Sequence, residues 1–160
     1  MTTPFATSGC IGTRLTTTST DAAFSLGERV TGTDGTIWVY VQASGAIDQY
    51  HAVSIDEDFQ AASLTHANAL AGHMVGFAQN AFTDDDYGWV ALGGANISVM
   101  LAAACAKDVQ LYTSGTAGVL DDTATSTASL IRGVVAAVSG TGTAVAREII
   151  AQGVSATATP

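Results

Sequence analysis

Charge is scarce in this chain, and positive charge is scarcest. Only 12% of the 160 residues are charged, about half the share of an ordinary soluble domain. Five cations (Arg14, Arg29, Lys107, Arg132 and Arg147) stand singly against fourteen acids, for a formal charge of −9. A phosphate backbone needs clustered Lys or Arg to displace its counterions, and an anionic lipid surface asks for the same. Neither nucleic acid nor a membrane is therefore an expected partner. The two cysteines, Cys10 and Cys105, are too few and too far apart for a metal-binding framework. Two free thiols are expected, with a single long-range disulfide as the alternative. No apolar run approaches the roughly 18 residues of a membrane-spanning helix. The opening Met1-Thr2-Thr3-Pro4-Phe5 lacks the basic and apolar stretches of a secretory signal, so assembly in the cytoplasm is expected.

Hydrophobic residues, by contrast, make up 48% of the chain, enough for a packed core in one domain of this length. With so few charged side chains, the surface must consist of Thr, Ser, Gly, Ala and Asn, or be covered in part by partners. That balance suits a protein built into an assembly. Residues 1–25 differ from the rest: Thr13-Arg14-Leu15-Thr16-Thr17-Thr18-Ser19-Thr20 is mostly hydroxyl-bearing, with Phe5, Ile11, Leu15 and Phe24 as scattered apolar anchors. Such a segment buries too little apolar area to offset its own ordering entropy. An extended arm ordered on a neighbouring subunit is expected, with Phe5, Ile11, Arg14 and Leu15 as its partner-binding residues.

From residue 26 to 153 the pattern is that of strands, followed by a tail over 154–160. Thr36-Ile37-Trp38-Val39-Tyr40-Val41-Gln42 is dense in β-branched and aromatic residues between the turn dipeptides Asp34-Gly35 and Ser44-Gly45. Further strands are predicted over Gln49–Ile55, Met74–Ala78, Gly88–Leu92, Asn96–Leu101, Gln110–Thr113, Gly133–Val138 and Ala144–Ile150. Turn residues recur at the spacing of a sandwich or barrel. The expected fold is all-β, a sandwich or small barrel of about eight short strands. Helix signals are confined to 58–71, and to Thr123–Leu130 with Asp121 or Asp122 as N-cap. Two short parallels suggest an internal duplication into units over 28–85 and 86–153: Trp38-Val39 with Trp89-Val90, and Met74–Ala78 with Ile131–Val135.

Motifs that carry chemistry are few. His51, His66 and His73 stand outside metal-ligand spacing, and surface or interface roles are expected for them. Asp84-Asp85-Asp86 is the one carboxylate run able to attract a hard cation, yet it lacks the alternating ligands of a calcium loop. A hairpin turn is its simpler reading, as it is for Asp56-Glu57-Asp58. Thr7-Ser8-Gly9-Cys10 and Ser114 build no nucleophile elbow, and Gly93-Gly94-Ala95 builds no phosphate loop. Trp38, Tyr40, Tyr50, Phe77, Phe82, Tyr87 and Trp89 would form either a sugar-binding platform or, by alternation on strands, a core. No enzyme, cofactor or metal is predicted.

Trp38-Val39-Tyr40-Val41-Gln42-Ala43, Val75-Gly76-Phe77-Ala78-Gln79, Asp86-Tyr87-Gly88-Trp89-Val90-Ala91-Leu92, Leu111-Tyr112 and Gly118-Val119-Leu120 through Ile131-Arg132-Gly133-Val134-Val135 resemble small Ala/Gly/Thr-rich phage structural proteins. In style the chain is similar to the capsid decoration, or cement, proteins of tailed double-stranded DNA bacteriophages, over residues 26–150. That resemblance implies a β-rich, often trimeric protein bound to the major capsid protein at local symmetry axes on the outer shell. The arm is longer than in compact cement proteins. Two other readings are a phage head-fibre or tail component, and a carbohydrate-binding β-sandwich module.

Overall fold

Short segments that alternate inward and outward side chains curl this chain upon itself. A computed structural model describes residues 4, 10–139 and 145–158. Among the described residues run eleven strands and one four-residue helix. In chain order these are β1 (Thr18–Ser19), β2 (Arg29–Thr31), β3 (Ile37–Ala43), β4 (Ala52–Ile55), β5 (Gln60–Ser63), α1 (His66–Ala69), β6 (Met74–Ala78), β7 (Tyr87–Leu101), β8 (Gln110–Thr113), β9 (Leu120–Asp121), β10 (Ser129–Ala136) and β11 (Val145–Ala158). The all-β expectation holds. The architecture is a closed five-stranded barrel with added strands and a half-barrel sheet.

The barrel runs β3-β5-β4-β6-β7 and closes where the first half of β7 pairs back to β3. Only the β3–β5 contact is parallel. Val39, Val41 and Ala43 alternate inward from β3 and meet Val53, Ile55, Ala61, Ala78 and Val90, all buried in one cluster. A barrel of five strands is narrow, so small and β-branched side chains fill it. At Gly76 even a β-carbon would stand 2.6 Å from Val90 Cγ1, which is why that inward position has no side chain.

The outward residues of the same strands, Trp38, Tyr40, Phe77, Trp89 and Ala91, are buried as well, at 0–3% exposure. Their cover comes largely from the half-barrel, formed by the second half of β7 with β11, β10, β8 and β9. Its one parallel pairing is Leu101 with Leu120, between β7 and β9. Its concave side chains, among them Ile97, Val99, Leu101, Leu111, Ile131 and Ile149, share a single core with Trp38 and Phe77. Each fully buried Leu or Ile there contributes about 1.5–3 kcal/mol.

The two sheets repeat one pairing scheme. The second half of β7 takes the place of β3, and β8, β9, β10 and β11 take those of β4, β5, β6 and β7, with the same single parallel contact. Met74–Ala78 and the Ile131–Val135 segment thus lie in corresponding strands. Trp38 and Trp89 do not correspond: their strands are neighbours in the barrel, where Trp38 pairs with Ala91 and Tyr40 with Trp89.

β7 corrects the sequence reading most directly. Gly88–Leu92 and Asn96–Leu101, expected as separate strands, belong to one fifteen-residue strand. Gly93-Gly94 does not end it but allows two other strands to approach. A β-carbon at Gly94 would lie 2.8 Å from Thr36 Cγ2, and one at Gly93 would lie 3.1 Å from the Ala151 carbonyl oxygen. Even-numbered Val90 and Leu92 serve the barrel core, while odd-numbered Ile97, Val99 and Leu101 serve the half-barrel.

Three other expectations change. Residues 154–158, expected in a tail, are strand, because β11 runs to Ala158 and pairs with Ser129 there. Thr123–Leu130 is not helical; β10 begins at Ser129. The helix in the 58–71 region is α1, and Thr65 caps it: the Thr65 hydroxyl accepts from the Asn68 N–H at 3.3 Å, while Asn68 Oδ1 accepts from the Thr65 N–H at 2.7 Å. Asp56 instead closes its own turn, accepting from the N–H groups of Asp58 and Gln60.

Candidate interaction surface

The described part of the N-terminal arm, residues 10–25, lies on this chain's own barrel. Its hydroxyl-rich run cannot pack against itself, so its few apolar anchors dock on the aromatic outer face. Leu15 is buried at 1% exposure in the main core. Phe24 meets Tyr40 edge-on, with ring centroids 5.2 Å apart, and Trp89 at 5.3 Å. The Tyr40 hydroxyl accepts from the Ala23 N–H at 3.1 Å. β1 pairs Thr18 with Gly88 and Ser19 with Tyr87. Cys10 Sγ donates to Glu28 Oε1 at 2.9 Å, and that hydrogen bond to a carboxylate holds the thiol pKa above its ordinary value.

The four arm residues expected to bind a partner therefore divide. Leu15 is corrected: it is buried in the chain's own core and is not presented on the surface. Phe5 lies outside the described residues. Ile11, at 79% exposure, and exposed Arg14 remain on the surface. Arg14 borders a cleft of about 110 Å³ floored by Phe24, Tyr40, Tyr87 and Trp89. Leu26, Ile37, Leu70, Val135 and Val138 are further large apolar residues exposed at 37–51%.

Asp84-Asp85-Asp86 forms the turn between β6 and β7. Asp85 adopts a left-handed backbone, φ 67°, and its carboxylate accepts from Gln42 Nε2 at 3.2 Å. Asp86 Oδ2 accepts from the Thr83 hydroxyl at 2.6 Å and the Thr83 N–H at 2.9 Å. These bonds, hydroxyl first, hold its carboxyl below the usual range. Asp85 thus ties the turn to β3 and Asp86 closes it on Thr83, and no group of three or more potential metal ligands gathers among the described residues.

The structure shows a pattern at the histidines that sequence spacing did not reveal. Each bonds a serine hydroxyl through Nδ1: His51 with Ser63 at 3.1 Å, His73 with Ser54 at 3.1 Å and His66 with Ser129 at 3.0 Å. His51 Nε2 also lies 3.7 Å from Asp48 Oδ2, placing serine, imidazole and carboxylate in series. A carboxylate that is 87% exposed and beyond hydrogen-bond distance orients such a ring weakly. The tighter constraint on His51 is packing against Gly118, where a β-carbon would come within 2.3 Å of the ring. Gly118 in turn accepts from the Ala52 N–H at 2.9 Å and donates to the Leu64 carbonyl at 2.8 Å. With His66–Ser129, these contacts join the barrel to the half-barrel. A wider groove of about 370 Å³ lies beside His73, bordered by Arg29, Asp56, Glu57, Phe59 and Met74.

The aromatic residues weighed as a sugar platform are largely core: Trp38 and Trp89 are each 2% exposed, Tyr40 and Phe82 3%, and Phe77 0%. Tyr50 and Tyr87 are half-buried. The architecture is thus a barrel and half-barrel fused through β7, with both concave surfaces filled by side chains. No known protein family matches the chain, and no curated protein sequence does either.

Proposed function

We propose that this chain is a non-enzymatic virion structural protein that binds the outer surface of a tailed-phage capsid and stabilises the shell, as decoration proteins do. The observation that carries the reading is the filled interior. The barrel holds Val39, Val41, Val53 and Val90 at 0% exposure, so the fold works as a rigid block whose outer surface meets its partner. That surface draws on a chain with only 12% charged residues and presents Ile11, Ile37 and Leu70 to solvent. The major capsid protein is the proposed partner, and the protein acts as a homo-oligomer on the virion surface after assembly in the host cytoplasm. Binding only the mature shell stabilises it by mass action. Joining several copies raises the effective concentration of each contact. A sugar-binding module is the weaker reading, because Trp38 and Trp89 are core.

The test is co-sedimentation of the purified protein with mature, undecorated phage heads, followed by the temperature at which the heads release DNA. Saturable loading with a raised release temperature is expected, and Ile11→Glu with Arg14→Glu should weaken loading without changing the melting of the free protein. A protein that stays in the supernatant at every ratio overturns the proposal.

A further inference from the structure

The groove beside His73 lies against one end of the barrel core. Ile55 belongs to that core, and Phe59 and Met74 pack on it. Arg29 pairs with Val39, whose side chain faces the same core, so both lie on one face of the sheet. Phe59 is held in the left-handed region, φ 59°, with its ring so close over Gly27 that a β-carbon has no room there. A bulky residue takes that conformation only at a cost, and here it sets an aromatic wall along the groove.

Both signs of charge border this apolar floor. Arg29 Nη2 donates to the Met74 sulfur at 3.6 Å, and the guanidinium forms no ion pair within 4.0 Å with Asp56 or Glu57. Asp56 Oδ1 is held by the N–H groups of its own turn, while Glu57 stands exposed at the rim. His73 commits Nδ1 to the Ser54 hydroxyl at 3.1 Å, which leaves Nε2 to serve a ligand. The cavity of about 370 Å³ is large enough for a small molecule. Opposite charges that share it without pairing to each other are complementary to a ligand charged at two ends.

We propose that this groove binds an aliphatic chain with a carboxylate at one end and an ammonium at the other, as in an ω-amino acid or in a lysine at the carboxyl end of a polypeptide. Arg29, joined by His73 Nε2, takes the carboxylate through charge-assisted hydrogen bonds. Glu57 takes the ammonium, with the charge of neighbouring Asp56 adding to it. Ile55, Phe59 and Met74 cover the methylenes between, which removes apolar area from water. An anion or a cation alone satisfies one rim and meets a like charge at the other. The proposal stands apart from the capsid reading and holds whatever surface the protein decorates.

Methionine methyl resonances test it, because Met74 borders the groove and Met100, on β7, does not. The full chain with isotope-labelled methionine methyl groups is titrated with ε-aminohexanoate, hexanoate, hexylamine and Nα-acetyl-lysine. With ε-aminohexanoate the Met74 signal should move saturably while that of Met100 stays. Hexanoate and hexylamine should each bind at least about threefold more weakly. Arg29→Gln should weaken ε-aminohexanoate about tenfold and Glu57→Gln about threefold. Neither should change the melting of the protein, since both side chains are exposed. Nα-acetyl-lysine separates the two sources: binding tighter than that of ε-aminohexanoate marks a chain end, and weaker binding marks the free amino acid. No saturable movement of Met74, equal binding of hexanoate or hexylamine, or either substitution without effect overturns the proposal.

Discussion

Gly94 and Thr36 meet where the barrel hands its last strand to the half-barrel. The α-carbon hydrogen of Gly94 faces Thr36 so closely that a β-carbon would stand 2.8 Å from Thr36 Cγ2 and 3.0 Å from its Cα, at a backbone φ of 135°. Both space and conformation exclude a side chain there. Gly94→Ala should lower stability by about 2–4 kcal/mol. Gly35→Ala, at φ 79° with nothing within 4 Å of the added carbon, should cost only about 1 kcal/mol. Urea denaturation of both variants checks the contrast; equal losses would show that close approach is not what Gly94 provides.

Gly76 makes a similar allowance inside the barrel. Gly76→Ala should cost about 1–3 kcal/mol through its clash with Val90, which lies 2.6 Å from the added carbon. Val90→Ala alone should also destabilise, by leaving a void. The double substitution should recover part of the loss, so a thermodynamic cycle should give a favourable coupling. Simple additivity would place the two side chains out of contact.

The joint between the sheets depends on His66 and Ser129, whose side chains meet at 3.0 Å. Ser129 is fully buried and its N–H also donates to the Thr113 hydroxyl at 2.9 Å. Ser129→Ala leaves the His66 nitrogen without its partner and should cost about 1–3 kcal/mol. Ser114→Ala, in an exposed turn where the hydroxyl accepts from Thr116 N–H, should change the melting midpoint far less. Thermal melting of both separates a joint contact from a generic loss of hydroxyl.

Acid should loosen the β6–β7 turn through Asp86. Its carboxyl is held below the usual range by Thr83, hydroxyl first and N–H second, with the Thr18 hydroxyl adding to them. Because the folded value is depressed, the stabilisation is complete above the ordinary carboxylate range and is lost as pH falls through the lowered value. Asp86→Asn should therefore show a flatter acid limb than the wild type in a plot of urea midpoint against pH. Identical acid limbs would remove Asp86 from the account.

Both cysteines are free thiols, and Cys105 should be inert in the native protein. Burial, reinforced by the negative charges of Asp122 and Asp121, pushes its thiol up to about 11. The thiolate, which is the reactive form, is then scarce at neutral pH. Alkylation with mass detection should label Cys105 only after denaturation, whereas rapid native labelling would require local opening around β8 and β9.

Much of both sheets was legible from the order of residues. Thr36–Gln42, Met74–Ala78 and Gln110–Thr113 coincide with β3, β6 and β8 to within a residue, because β-branched and aromatic runs bounded by turn residues carry the signal locally. β5, Gln60-Ala61-Ala62-Ser63, and β9, Leu120-Asp121, have no such run. They become strands because β3, β4, β7 and β8 supply their hydrogen bonds.

The candidate surface was less legible. Ile11 and Leu15 are both aliphatic residues in a polar arm, yet one is 79% exposed and the other 1%. The histidine–serine pairs were equally hidden, since His66 and Ser129 are 63 positions apart.

The sequence by itself determined that this protein is all-β and that its charge is sparse and mostly acidic. These properties follow from composition and from alternation over a few residues. Only the tertiary structure decided that Gly93-Gly94 continues a strand, that residues 10–25 fold back on their own barrel, and that residues 155–158 pair with β10. Each of these depends on which distant segment arrives beside a residue, and that is settled by hydrogen bonds and packing between strands far apart in the chain.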